Sequence, residues 1–137
     1  MARIKYDSDL IKLISLFESL TGAKLRDCIA NDSIIFIVND GEMGKAIGKK
    51  GANIRRIEDL LKKRVRLVEY SADVAKFVSN LIHPVKVQDI REEEGIVSIN
   101  ASDPKTKGMI IGRDRSKINF INDIVKRHFD IKEVKVV

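Results

Sequence analysis

The chain has 137 residues, 44% of them hydrophobic and 34% charged, with a net charge of +6 and a pI of about 9.5. Cys28 is the only cysteine, which excludes an intrachain disulfide and a cysteine-based zinc cluster. No apolar run approaches the ~20 residues a membrane span needs, and the basic excess suggests a polyanionic partner.

The first residues, Met1 to Lys5, are followed by acidic residues rather than a signal-peptide core, so a cytoplasmic protein is expected. Cys28 then reads as a small buried apolar side chain. Asn31-Asp32-Ser33 and Asn100-Ala101-Ser102 match a glycosylation pattern that has no meaning without secretion.

Asp7 or Ser8 caps a helix whose apolar residues Leu10, Leu13, Ile14, Phe17 and Leu20 recur at helical spacing, and Thr21-Gly22 stops it. Leu25 to Ala30 and Ser33 to Val38 read as strands joined by the tight turn Asn31-Asp32. The second is a continuous apolar run, so it is the expected central strand. After the turn Asn39-Asp40-Gly41, a short amphipathic segment, Glu42 to Ile47, meets the loop Gly48-Lys49-Lys50-Gly51. A helix from Ala52 to Lys62 follows, with Ile54, Ile57, Leu60 and Leu61 assigned to one face. Arg64 to Tyr70 closes this unit as a strand, with Val65 and Leu67 opposite Arg66 and Val68.

The order then repeats. Val74, Phe77, Val78 and Leu81 mark a helix ended by His83-Pro84. Val85 to Ile90 and Ile96 to Ala101 read as a hairpin with Glu92-Glu93-Glu94-Gly95 in its turn. Ser102-Asp103-Pro104 starts a helix that leads to Ile111-Gly112-Arg113-Asp114-Arg115. Ile118, Ile121, Ile124 and Val125 form the next apolar face, and Ile131 to Val137 is a closing strand. At an offset of 64 residues Gly44 falls on Gly108, Ile47 on Ile111, Gly48 on Gly112 and Ile54 on Ile118. The chain is therefore an internal duplication, with domains expected at 1–70 and 71–137 and about two extra residues near Pro104 in the second copy.

A glycine loop between two helices lets a polymer backbone approach closely, and the start of the second helix offers free N–H groups and a positive dipole end to a phosphate. Lys45, Lys49, Lys50, Arg55 and Arg56 surround the first loop with no acidic residue among them. Arg113, Arg115 and Lys117 keep the second loop basic, although Asp114 would repel phosphate. Arg115 is expected to take helical angles at a helix start. Residues 1–70 hold 14 Lys+Arg against 10 Asp+Glu, and residues 71–137 hold 12 against 10, which makes the first unit the better anion site.

Each unit resembles a KH domain of the type with its extra helix at the N-terminus. The residues that carry this are Ile47-Gly48-Lys49-Lys50-Gly51 in one copy and Ile111-Gly112-Arg113-Asp114 in the other; the second departs from the motif at Arg115, where the family has glycine. Two such units in succession resemble the archaeal NusA-like transcription factors. The resemblance implies an α+β fold of two tandem type II KH domains, each α-β-β-α-α-β with helices on one face of a three-stranded sheet. It implies binding of single-stranded RNA in transcription elongation or termination; a monomer is expected, and RNA polymerase is the candidate further partner. The loop motif together with the surrounding charge makes Lys45, Ile47, Gly48, Lys49, Lys50, Gly51, Arg55, Arg56, Gly112, Arg113, Arg115 and Lys117 the expected RNA-contacting residues. No cofactor is expected, since neither a phosphate-binding G-x-x-x-x-G-K-[ST] nor a dinucleotide G-x-G-x-x-G is present. There is no evident nucleophile–base set for an enzyme such as a nuclease. A ribosome-assembly protein that holds structured RNA is the alternative reading. The phenylalanines sit mostly on apolar faces and read as core, and His83 and His128 read as structural or surface residues.

Overall fold

The structure is a computed structural model and describes residues 8–30 and 33–137. Asp7 as a cap and the turn Asn31-Asp32 lie outside the described residues. The chain divides into two compact units between Ser71 and Ala72.

In the first unit, helix α1 spans Ser8–Thr21. It ends where the Thr21 hydroxyl donates to the Phe17 carbonyl (2.8 Å) and accepts from the Ala23 amide (3.0 Å). Strands β1 (Leu25–Ala30) and β2 (Ile34–Val38) pair antiparallel, and β3 (Val65–Glu69) pairs parallel to β2. The order β1-β2-β3 puts the apolar run of β2 in the centre, where all five residues are buried. Between β2 and β3 come α2 (Met43–Ile47), a tight turn at Lys49–Gly51 and α3 (Ala52–Leu61). The core holds Phe17, Cys28, Phe36, Ala46, Ile57 and Val65, with the Phe17 and Phe36 rings 4.3 Å apart. The larger of these, Phe17, Phe36, Ile57 and Val65, each contribute roughly 1.5–3 kcal/mol relative to exposure.

Leu60 does not join that core. It is 55% exposed, whereas Ile57 is fully buried and Ile54 and Leu61 are partly so. Residues 54, 57 and 61 already define the inner stripe, and a residue three beyond Ile57 is rotated 60° to its flank.

The second unit repeats the element order with different lengths. Helix α4 (Val74–Ile82) buries Phe77, Val78, Leu81 and Ile82 and opens on Asp73, whose carboxylate accepts the Ala75 amide. Strands β4 (Asp89–Glu93) and β5 (Ile96–Asn100) are antiparallel, and β6 (Glu133–Val136) is parallel to β5. Two sequence boundaries shift here. The hairpin strand begins at Asp89 rather than Val85, and Glu92 and Glu93 lie in it, opposite Val97 and Ile96. The turn needs only Glu94 and Gly95, both at positive φ, a geometry that matches the twist of paired strands. Helix α5 (Pro104–Ile111), a turn at Arg113–Arg115 and α6 (Ser116–His128) complete the unit. The expected α6 face, Ile118, Ile121, Ile124 and Val125, is buried throughout. Counterpart strands β2 and β5 are 62 residues apart and the loop glycines 64, so the two extra residues lie before the second loop.

Phe77 is buried against Phe129 and, edge-on, against His128, with ring centroids 5.6 and 5.8 Å away. His83 is exposed. Among the described residues no helix is long and apolar enough to cross a membrane.

Candidate nucleic-acid interface

The first loop is a reverse turn closed by the Gly51 amide on the Gly48 carbonyl at 3.1 Å, and the Ala52 amide bonds the Lys49 carbonyl. Two of the amides expected to face a ligand are thus used by the turn itself. Gly48 sits at φ 77°, ψ 172°, a region that is essentially glycine-only. A Cβ there would stand 2.7–2.9 Å from the Asn53 side chain. Asn53 occupies that space because its Nδ2 donates to the Lys45 carbonyl at 2.8 Å, which ties the start of α3 back to α2. Nothing in the sequence pattern singled out Asn53.

Lys49 and Lys50 project from this turn and are exposed, as are Arg55 and Arg56 one turn into α3. Among the described residues none of these four forms an ion pair. Lys45 does: its Nζ lies 3.5 Å from Glu42, itself engaged by the Lys24 amide. An exposed pair of this kind contributes little, so Lys45 remains able to exchange partners. Ile47 is 39% exposed beside the loop, an apolar side chain left open at the site.

The second loop has the same backbone. Gly112 lies at φ 76°, ψ 172°, within 1° of Gly48, and Asp114 at φ 54°, ψ 31°, against 55° and 30° for Lys50. The Lys117 side chain fills the space beside Gly112 that Asn53 fills beside Gly48. Arg115 does not take helical angles. It stands at φ 62°, ψ 19°, left-handed like its counterpart Gly51 at φ 75°, ψ 16°. The turn dictates this, because the Arg115 amide must reach the Gly112 carbonyl at 3.2 Å. A left-handed conformation costs an ordinary side chain roughly 1–2 kcal/mol. Arg113, Asp114, Arg115 and Lys117 are all exposed. Arg115 also borders a groove of about 480 Å³ along α6 with Asn119, Asp123 and Lys126.

Among the described residues no group of three or more His, Cys, Asp or Glu side chains is placed to hold a metal ion. The phenylalanines supply no open stacking face in the first unit, where Phe17 and Phe36 are buried; Phe120 and Phe129 in the second are half-buried.

Residues 13–100 match a family model described as KH domain. Three curated relatives, each described as a probable transcription termination protein NusA, are similar over nearly the whole chain. The protein of Methanocaldococcus jannaschii is 32% identical, covering 100% of this chain and 77% of that one. The Methanococcus vannielii protein is 35% identical over 98% of this chain and 80% of its own. The Halococcus morrhuae protein is 34% identical, with 98% and 99% covered. The crystal structure of APE1850 is similar at a TM-score of 0.70 and 31% identity, over 93% of this chain and 96% of that one.

Proposed function

We propose a function for a chain that belongs to the KH-domain family and, within it, to the archaeal NusA-like proteins. It is a single-stranded RNA-binding factor of transcription elongation and termination, and it acts as a binding module rather than an enzyme. Both units serve as KH domains, since each runs α-β-β-α-α-β around a three-stranded mixed sheet. The relatives' name assigns them to transcription termination, and a monomer engaging RNA beside the polymerase fits that setting.

The observation that carries the reading is the first loop. Gly48 holds angles that only glycine adopts readily, and the turn it makes thrusts Lys49 and Lys50 into solvent. KH domains hold about four nucleotides of single strand with such a loop on the sugar-phosphate backbone. Arg55 and Arg56 add charge one turn into α3, and Ile47 offers an apolar contact for a base.

Fluorescence anisotropy with a single-stranded RNA, titrated across salt, tests this. Affinity falls with a log–log slope of about −0.7 for every phosphate contacted. A flat salt response removes the phosphate-clamp reading. Copurification with ribosomal particles instead of polymerase replaces the transcriptional setting with a ribosomal one.

A further inference from the structure

We propose that the outer face of α3 is a second phosphate track, along which the same RNA strand continues from the first glycine loop to Lys62, Lys63 and Arg64. This rests on the RNA-binding reading of that loop and extends it.

The loop cations are followed by two pairs, Arg55 and Arg56 within α3 and Lys62 and Lys63 just past its last residue, Leu61, with Arg64 next in the chain. All four are exposed, and so is Arg64. The acidic residues on this stretch are two. Glu58 is turned to the fold, where its carboxylate accepts the Val65 amide at 3.0 Å, and Asp59 alone is exposed between the pairs. A run of cations along α3 and past its end complements a polyanion.

Two further observations point the same way. Lys62 caps α3 in the left-handed conformation, φ 55°, ψ 33°, a position that glycine fills in many helices without strain. A cation stands where glycine would fold more easily. The counterpart positions in the second unit are less cationic and less open: α6 carries Asn119 and Phe120 in place of Arg55 and Arg56, and Lys126, Arg127 and His128, in place of Lys62, Lys63 and Arg64, are half-buried. The track therefore belongs to the unit whose loop is intact.

The test uses the full chain and two oligouridine RNAs, one of about four nucleotides and one of about twelve, one and three KH footprints. A variant with Lys62→Ser, Lys63→Ser and Arg64→Ser is expected to bind the short RNA as the parent does. For the long RNA it loses affinity, and its salt slope becomes shallower by about 2, three contacts at about 0.7 each. Lys62→Gly separates the track from folding: it raises the melting temperature while weakening long-RNA binding. Asp59→Asn tightens long-RNA binding. Parent-like affinity of the triple variant for the long RNA overturns the track and leaves the loop reading standing. Failure of the parent chain to bind either RNA overturns both readings.

Discussion

Nη1 of Arg55 lies 3.1 Å from the point where a Cβ on Gly51 would stand. The bare glycine thus gives the Arg55 guanidinium its place beside the loop. In the second unit the two positions are exchanged: Arg115 replaces the glycine, and Asn119 replaces the arginine four residues on. Each unit thus has one arginine among these two positions, in the loop itself in the second unit and four residues further on in the first.

That exchange makes Arg115→Gly informative. Releasing a left-handed arginine should stabilise the second unit by about 1 kcal/mol, read by chemical denaturation. RNA affinity should nevertheless fall, because no residue at position 119 supplies the lost charge. Tighter binding would show that the bulk of Arg115 outweighs its charge.

The two glycines of the first loop should respond unequally. Gly48→Ala places a methyl 2.7 Å from the Asn53 side chain and forces a glycine-only conformation, at a cost of about 1–3 kcal/mol before any clash. Gly51→Ala meets only the movable end of Arg55 at 3.1 Å, in a left-handed conformation that costs about 1–2 kcal/mol. Urea denaturation of both variants checks the order; equal losses would contradict the assignment of Gly48 as the fixed point.

Much of this was legible in the sequence, for physical reasons that also mark its limits. The 3.6-residue period placed Ile118, Ile121, Ile124 and Val125 on one buried face, and the unbroken apolar run of β2 named the central strand. The first loop is legible from its two glycines and two lysines between amphipathic segments, and the 64-residue repeat points to the second. The left-handed Arg115 was not, because its angles are set by closure of the turn onto Gly112, a constraint that residue type does not reveal. Leu60 differs because the helical period admits both Leu60 and Leu61 near the apolar face, and only packing shows that the stripe of 54, 57 and 61 leaves Leu60 on its flank. Asn53 and Asn122 escaped because a single polar side chain that bonds backbone carries no period.

Asn122 is the larger of those omissions. Its Nδ2 donates to the Ile118 and Val134 carbonyls at 2.9 and 2.8 Å, and its Oδ1 accepts the Val134 amide at 2.8 Å. One side chain thereby fastens β6 to α6. Asn122→Ala should destabilise the chain by about 1–3 kcal/mol, since backbone groups lose their partner. Hydrogen exchange at the Val134 amide should rise with it; an unchanged rate would mean that the strand is held by its ladder alone.

Asp103 gives a pH signature. The Thr106 amide, bonded to its carboxylate at 2.7 Å, holds the Asp103 pKa below the usual value of 3.8. A carboxylate with a depressed folded pKa contributes stability above its unfolded pKa and loses it as pH falls through the folded one. The stability difference between the parent chain and Asp103→Asn should therefore be constant near neutrality and shrink below about pH 3.8. A difference that stays constant down to complete acid unfolding would deny the carboxylate that role.

The most direct test of the account is RNA affinity after reversing the loop charge, Lys49→Asp with Lys50→Asp, both glycines kept. The two positions are exposed, so folding should change by no more than about 0.5 kcal/mol, with circular dichroism to confirm it. The local charge changes by four units where phosphates are proposed to dock, and single-stranded RNA affinity measured by anisotropy should collapse. The matching change in the second loop, Arg113→Asp, should cost less. Parent-like RNA binding by the folded Lys49/Lys50 variant would contradict the claim that the Gly48–Gly51 loop is the RNA site.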